Sequence, residues 1–207
     1  MSPVQTDNHD ARRPATPTSS VALLLIDVIN DLAFDGGEDL LQQAQPMAEA
    51  IAALKRRAKA ANIPVIYVND NFGHWRSDFP TIVEYCMRPG VPGRETTALL
   101  RPEEDDYFVI KPRHSAFYQT SLDLLLKYLQ VHTLILTGMA ADMCVLFTAN
   151  DAYLREFAVI VPADCCAAES EPYRSQALDL IERVLKGDIA QSTELDLAAL
   201  EQVAVSA

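Results

Sequence analysis

Short apolar runs, separated by longer stretches whose apolar residues recur every three or four positions, decide what this chain can fold into. The runs are Val21–Ile26, Pro64–Val68, Tyr107–Ile110, Thr133–Thr137 and Ala158–Val161, with a shorter sixth at Asp188–Ala190. Between the first two, Leu40, Ala44, Met47, Ala48, Ile51, Leu54 and Ala58 mark one face of a long amphipathic helix. Leu122, Leu125, Leu126 and Leu129 do the same after the third run, with Thr120 or Ser121 as cap. Val145, Ala149, Ala152 and Tyr153 follow the fourth run. Ser170 and Pro172 start a helix whose inner face is Ala177, Leu178, Ile181 and Val184, and Thr193–Leu200 forms a last helix. Strands alternating with helices pair in parallel through right-handed crossovers. Strands apolar along their whole length are covered on both faces. The pattern therefore predicts an α/β fold, a three-layer α/β/α sandwich around a mainly parallel sheet of about six strands.

A chain of 207 residues suits one domain with a full core, which at this size buries about 70% of the unfolded surface. That domain is expected over residues 20–207. Residues 1–19 are polar and rich in Pro, Ser and Thr, lack the apolar stretch of a signal peptide, and read as a disordered tail. No apolar run approaches the roughly 20 residues that cross a bilayer, so no membrane partner is expected. Net charge is −12, with 29 acidic against 17 basic residues and no basic stripe beyond Lys55-Arg56-Arg57 and Lys59. Neutralising phosphates needs concentrated positive charge, so no nucleic-acid partner is expected. Cys86, Cys144, Cys165 and Cys166 form no disulfide framework and no zinc spacing, which points to reduced thiols in a cytoplasm.

Three ionisable residues stand just beyond strand runs. Asp27 follows Val21–Ile26, Lys111 follows Tyr107–Ile110, and Cys144 follows Thr133–Thr137 and the turn Gly138-Met139-Ala140-Ala141. Ligands in parallel sheets bind beyond the carboxyl ends of the strands. A thiol in the first turn of a helix meets partial positive charge, which favours thiolate and an oxyanion. Taken singly, Asp27 reads as a turn residue, Lys111 as a surface lysine and Cys144 as a small core residue. Their common edge favours a catalytic set and suggests a cysteine hydrolase. Cys86, Cys165 and Cys166 read as packing residues.

The stretch from Asn69 to Arg101 is irregular in pattern, with Pro80, Pro89-Gly90 and Pro92-Gly93. Long excursions inside compact domains usually carry function. Its Phe72 and Trp75, together with Phe117 and Tyr118 after Lys111, are candidates for the walls of a substrate pocket. Asn30 reads equally as a turn former or as a polar pocket lining. Arg113 and His114 read as solvated loop residues or as partners for a substrate carboxylate.

Three stretches carry a resemblance: Leu24-Leu25-Ile26-Asp27-Val28-Ile29-Asn30-Asp31, Ile110-Lys111-Pro112-Arg113-His114-Ser115-Ala116-Phe117, and Leu136-Thr137-Gly138-Met139-Ala140-Ala141-Asp142-Met143-Cys144-Val145. In this order and spacing the chain resembles the isochorismatase-like cysteine hydrolases, which include nicotinamidases and N-carbamoylsarcosine amidases, over roughly residues 20–191. The resemblance implies an Asp27–Lys111–Cys144 triad. It also implies a non-proline cis bond at Met139-Ala140 and an oxyanion hole from the backbone N–H groups of Ala140 and Cys144. It further implies attack on an amide-type small molecule through a thioester, no cofactor, and assembly as a homodimer or homotetramer. The apolar residues of Asn69–Arg101 would lie at a subunit contact.

Departures from the family pattern narrow the expectation. Ile29 stands where a Gln is common, and Ala141 where a Thr is common, with Asp142 placed to take over the helix cap. The Asp-x-His…His metal cluster of nicotinamidases is matched only by Asn69-Asp70-Asn71-Phe72-Gly73-His74-Trp75, so no metal site is expected and nicotinamide is a weaker substrate. True isochorismatases lack the cysteine, so Cys144 favours acyl transfer over vinyl-ether hydrolysis. An esterase or thioesterase on the same triad and a catalytically silent α/β binding protein remain the competing readings.

Overall fold

In the computed structural model the described residues are 19–73, 76 and 78–203; the expected N-terminal tail lies almost wholly outside them, as do His74 and Trp75. The strands are β1 (Val21–Ile26), β2 (Val65–Asp70), β3 (Tyr107–Lys111), β4 (Thr133–Met139), β5 (Ala158–Ile160) and β6 (Cys166–Ala167). The helices are α1 (Gly37–Ala60), α2 (Phe79–Cys86), α3 (Arg94–Leu99), α4 (Leu122–Leu129), α5 (Leu146–Leu154), α6 (Glu171–Arg183) and α7 (Leu197–Val203). The sheet runs β3-β2-β1-β4-β5, with β6 beside the far end of β4, and every ladder is parallel.

β1 is buried along its whole length because successive side chains feed two different cores. Val21, Leu23 and Leu25 pack with the Leu40, Met47, Ile51 and Leu54 stripe of α1. Ala22, Leu24 and Ile26 pack with Leu126 of α4, Ala149 of α5 and Ile181 of α6. That is the three-layer arrangement read from the periodicities. Each fully buried Leu or Ile contributes about 1.5–3 kcal/mol, so a polar residue anywhere in β1 would open one face of the domain.

The chain leaves β1 toward β2 and β3, then returns to place β4 on the other side of β1. This reversal opens a crevice at the carboxyl ends of β1 and β4. Gly138 makes the approach possible: it has φ +115°, and a Cβ there would stand 2.0 Å from the carbonyl oxygen of Ile26. Gly93 plays a similar part beneath the loop after β1, where a Cβ would meet the Asn30 carbonyl oxygen at 1.9 Å.

Several elements differ from the sequence reading. The Asn69–Arg101 excursion contains two helices. Asp78 starts α2 by accepting the Thr81 N–H at 2.8 Å with a proline in the first turn, and Phe79, Ile82 and Cys86 then enter the α1-side core. Residues 188–190 form only one bridge, from Asp188 to Ile160; the sixth strand is Cys166–Ala167, which pairs with Gly138 and Met139. Tyr153 and Val184 face outward, since α5 and α6 already fill their inner faces with Ala149, Ala152, Ala177, Leu178 and Ile181. The last helix is split into a turn at Ser192–Glu194 and α7, whose first N–H groups are taken by Asp196. Among the described residues no helix is long and apolar enough to cross a membrane.

Candidate active site

Asp27 is the first residue beyond β1 and turns the chain with φ 52°. Its N–H donates to the Val68 carbonyl at 2.9 Å, and its Oδ1 accepts the Asp70 N–H at 2.7 Å. The loop that follows is fastened by buried Asn69, whose amide donates to the Ile29 carbonyl at 2.6 Å. Two neighbouring strand ends thus fix the carboxylate before any partner side chain arrives.

Lys111 closes β3, beside Asp70 in the parallel register. Its side chain is 0% exposed and spans β2 to bring Nζ 2.8 Å from Oδ2 of Asp27. The same ammonium lies 3.2 Å from the Arg113 carbonyl, 3.5 Å from Asp70 Oδ2 and 3.5 Å from Cys144 Sγ. A buried ammonium is costly unless paired and hydrogen-bonded, and this one is both.

Cys144 sits in a π-helical turn, Ala141–Val145, that leads into α5. The bond before it, Met139-Ala140, is cis. The Ala140 carbonyl accepts the N–H groups of Met143 at 3.1 Å and Val145 at 3.2 Å rather than that of Cys144. No side chain caps this turn, so the expected capping role of Asp142 is not realised. Cys86, Cys165 and Cys166 are buried, as expected of packing residues, whereas Cys144 is partly exposed.

The charges shift one another. Burial pushes the Asp27 carboxyl above its ordinary value, against the pull of the Lys111 ammonium. Burial alone would lower Lys111, but the Asp27 carboxylate and the nearby Cys144 outweigh it and hold the ammonium charged. Burial and then the Asp27 carboxylate push the Cys144 thiol well up, with Lys111 opposing. The helix start favours thiolate, but here burial and the carboxylate outweigh it. A thiolate beside a carboxylate would put two anions in a buried site against one cation, so one proton stays within the Asp27–Cys144 pair and its titrations belong to the pair.

A cleft of about 690 Å³, lined by none of the three residues Asp27, Lys111 and Cys144, is walled by Phe72, Pro112, Arg113, His114, Tyr118 and Gln119, with Asp70, Asn71 and Gly73. His114 places Nδ1 3.9 Å from Cys144 Sγ, and its ring tilts over Phe147 at 5.5 Å. Phe72 and Tyr118 line this cleft. Phe117 does not: it is buried against Phe157 and beneath the Arg155 guanidinium, as core. Asn30 serves the turn, accepting the Leu32 N–H at 2.9 Å. Trp75 lies outside the described residues. The strand register of Asp70 with Lys111 becomes visible only once β2 is seen to run two residues further.

Among the described residues, which do not include His74, the donors do not fit a metal in the nicotinamidase manner. Asp70 Oδ1 accepts the Phe72 N–H at 2.7 Å and Oδ2 faces Lys111. Among the described residues no group of three His, Cys, Asp or Glu side chains is arranged to hold a metal ion.

Known proteins agree with this architecture. The family model described as "Isochorismatase domain" matches residues 21–193. An uncharacterised isochorismatase family protein of Bacillus subtilis, YaaI, is 41% identical over 174 residues, covering 84% of this chain and 95% of the relative. The ureidoacrylate amidohydrolase RutB of Methylorubrum extorquens is 28% identical, covering 76% of this chain and 74% of that protein. The crystal structure of N-carbamoylsarcosine amidase from Thermoplasma acidophilum superposes with a TM-score of 0.65 at 27% identity, covering 86% of this chain and 99% of that one. With the family pattern spanning the whole sheet and its crevice, the chain belongs to the isochorismatase family of hydrolases.

Proposed function

We propose that the protein is a cysteine-dependent amidohydrolase that cleaves a C–N bond of a small amide or ureido compound through a thioester. One contact set carries the reading: a buried ammonium, Lys111, 2.8 Å from the Asp27 carboxylate and 3.5 Å from the Cys144 sulfur. Asp27 takes the thiol proton as Sγ bonds to the substrate carbonyl carbon, and Lys111 keeps the growing charge compensated. The tetrahedral oxygen accepts the N–H groups of Ala140 and Cys144, each such donor contributing about 2.7–4 kcal/mol in comparable sites. Asp27 then returns its proton to the nitrogen as the C–N bond breaks. A water, deprotonated by Asp27, attacks the thioester; the acid leaves and the thiol is restored.

Two relatives, a ureidoacrylate amidohydrolase and an N-carbamoylsarcosine amidase, favour an amide or ureido bond over an ester. Arg113 and His114 in the cleft suit a substrate that also carries a carboxylate. The protein acts as a homodimer or homotetramer in a cytoplasm. Phe79 and Ile82 of the Asn69–Arg101 segment turn into their own core, which leaves exposed Phe72 and Tyr85 of that segment to meet a second subunit; light scattering that finds a fully active monomer would refute it.

The test is a screen of primary amides and ureido acids for ammonia release, with Cys144→Ala as the blank. Release that disappears in the blank is expected. Ester turnover without any amide turnover would replace the amidase by an esterase, and no turnover of either kind would leave a binding protein.

A further inference from the structure

We propose that Thr148 is a positioning residue whose buried hydroxyl clasps the backbone of Cys144 to the loop following β3. The proposal rests on the reading of Cys144 as the nucleophile. Thr148 lies one helical turn beyond Cys144 and is 0% exposed. Its Oγ1 donates to the Cys144 carbonyl at 2.7 Å and accepts the Ala116 N–H at 3.0 Å. One hydroxyl thus satisfies two backbone groups from separate elements, and neither can shift without breaking a buried hydrogen bond.

A second tie lies on the same helix face. Ser115 Oγ donates to the Asp151 carboxylate and accepts the Phe117 N–H at 3.2 Å. Asp151 is held in turn by Arg155 at 2.9 Å, whose guanidinium covers the Phe117 ring at 4.7 Å. Residues 144, 148, 151 and 155 therefore form one stripe facing the Pro112–Gln119 loop.

That loop also carries the Arg113 carbonyl, 3.2 Å from Lys111 Nζ, and His114, 3.9 Å from the sulfur. The clasp thereby fixes the distance between ammonium and thiol, which no covalent link sets. The groups facing the sulfur are Asp27, Lys111 and His114, with Asp70 behind the ammonium. Loosening the clasp lets Lys111 recede, and the thiol then titrates higher.

The experiment compares Thr148→Val, nearly isosteric but without the hydroxyl, with Thr148→Ser, which keeps it. The rate of Cys144 alkylation by iodoacetamide is followed against pH, and thermal unfolding is followed in parallel. Thr148→Val is expected to move the alkylation midpoint upward and to slow labelling at neutral pH about tenfold or more, since sub-ångström misplacement is costly in a preorganised site. Thr148→Ser is expected to restore both. A folded Thr148→Val with the wild-type profile overturns the proposal. If Thr148→Val does not fold, Ser115→Ala decides: a shift in the same direction supports the clasp, and an unchanged profile overturns it. A protein that hydrolyses no amide but still shows hydroxyl-dependent alkylation would keep the clasp and remove the amidase reading.

Discussion

Lys111 and Asp27 leave strands that are not neighbours, yet Nζ and Oδ2 stand 2.8 Å apart beneath the end of β2. Lys111→Met removes the cation and strands a buried carboxylate. Breaking one partner of such a pair costs about 3–5 kcal/mol, so the variant should lose most of its turnover and unfold at lower urea concentration. Equilibrium denaturation and ammonia release measure the two effects. Full stability would mean that Asp27 is already neutral in the resting protein.

The pH dependence follows from one proton shared by two groups. Below the active range a second proton neutralises Asp27 and removes the base. Burial has raised that carboxyl above 3.8, so the acid limb of kcat/KM should lie above the ordinary carboxylate range. Above the range the pair loses its last proton and with it the acid for the leaving amine. The Cys144 thiol is raised above 9.0 and Lys111 above 10.5, so the alkaline limb should begin beyond 9.0. A profile collapsing between neutrality and that value would contradict the electrostatics.

Asp27→Asn separates nucleophilicity from turnover. Its carboxylate helps to hold the thiol protonated, while Lys111 pulls the other way. Without the carboxylate, alkylation of Cys144 at neutral pH should quicken, whereas hydrolysis should be abolished for want of a proton carrier. Stopped-flow labelling beside an activity assay reads both; slower labelling in this variant would show that Asp27 acts as an obligatory base even toward an alkylating agent.

Arg113 and His114 in the cleft predict a preference that needs no known substrate. Iodoacetate should alkylate Cys144 faster relative to iodoacetamide than it alkylates a free thiol, and the joint variant Arg113→Gln, His114→Asn should lower that ratio severalfold. An unaltered ratio would remove carboxylate recognition from the account.

How much of this was legible beforehand depended on range. β1 and the α1 stripe were readable because periodicity is local, and every residue of the Leu40–Ala58 stripe is buried. The placement of Asp27, Lys111 and Cys144 at one sheet edge also followed from where their strands end. The Asn69–Arg101 helices were masked by prolines, although Asp78 followed by Pro80 is a helix-start signal that could have found α2. Phe117 was misplaced because an aromatic beside a motif reads alike whether it faces a pocket or, as here, Phe157 and Arg155. The helix start at Cys144 shows one influence on the thiol and hides two others. A helix start favours thiolate, but burial and an adjacent carboxylate act through space and outweigh it.

The central claim is a covalent acyl group on Cys144. Acid-quenching the protein during turnover of an amide found in the screen, then measuring intact and peptide masses, tests it most directly. The account predicts a mass increase equal to the substrate's acyl group on the peptide bearing Cys144, discharged by hydroxylamine and absent from Cys144→Ala. Sustained ammonia release with no adduct, together with comparable activity in Cys144→Ala, would contradict it.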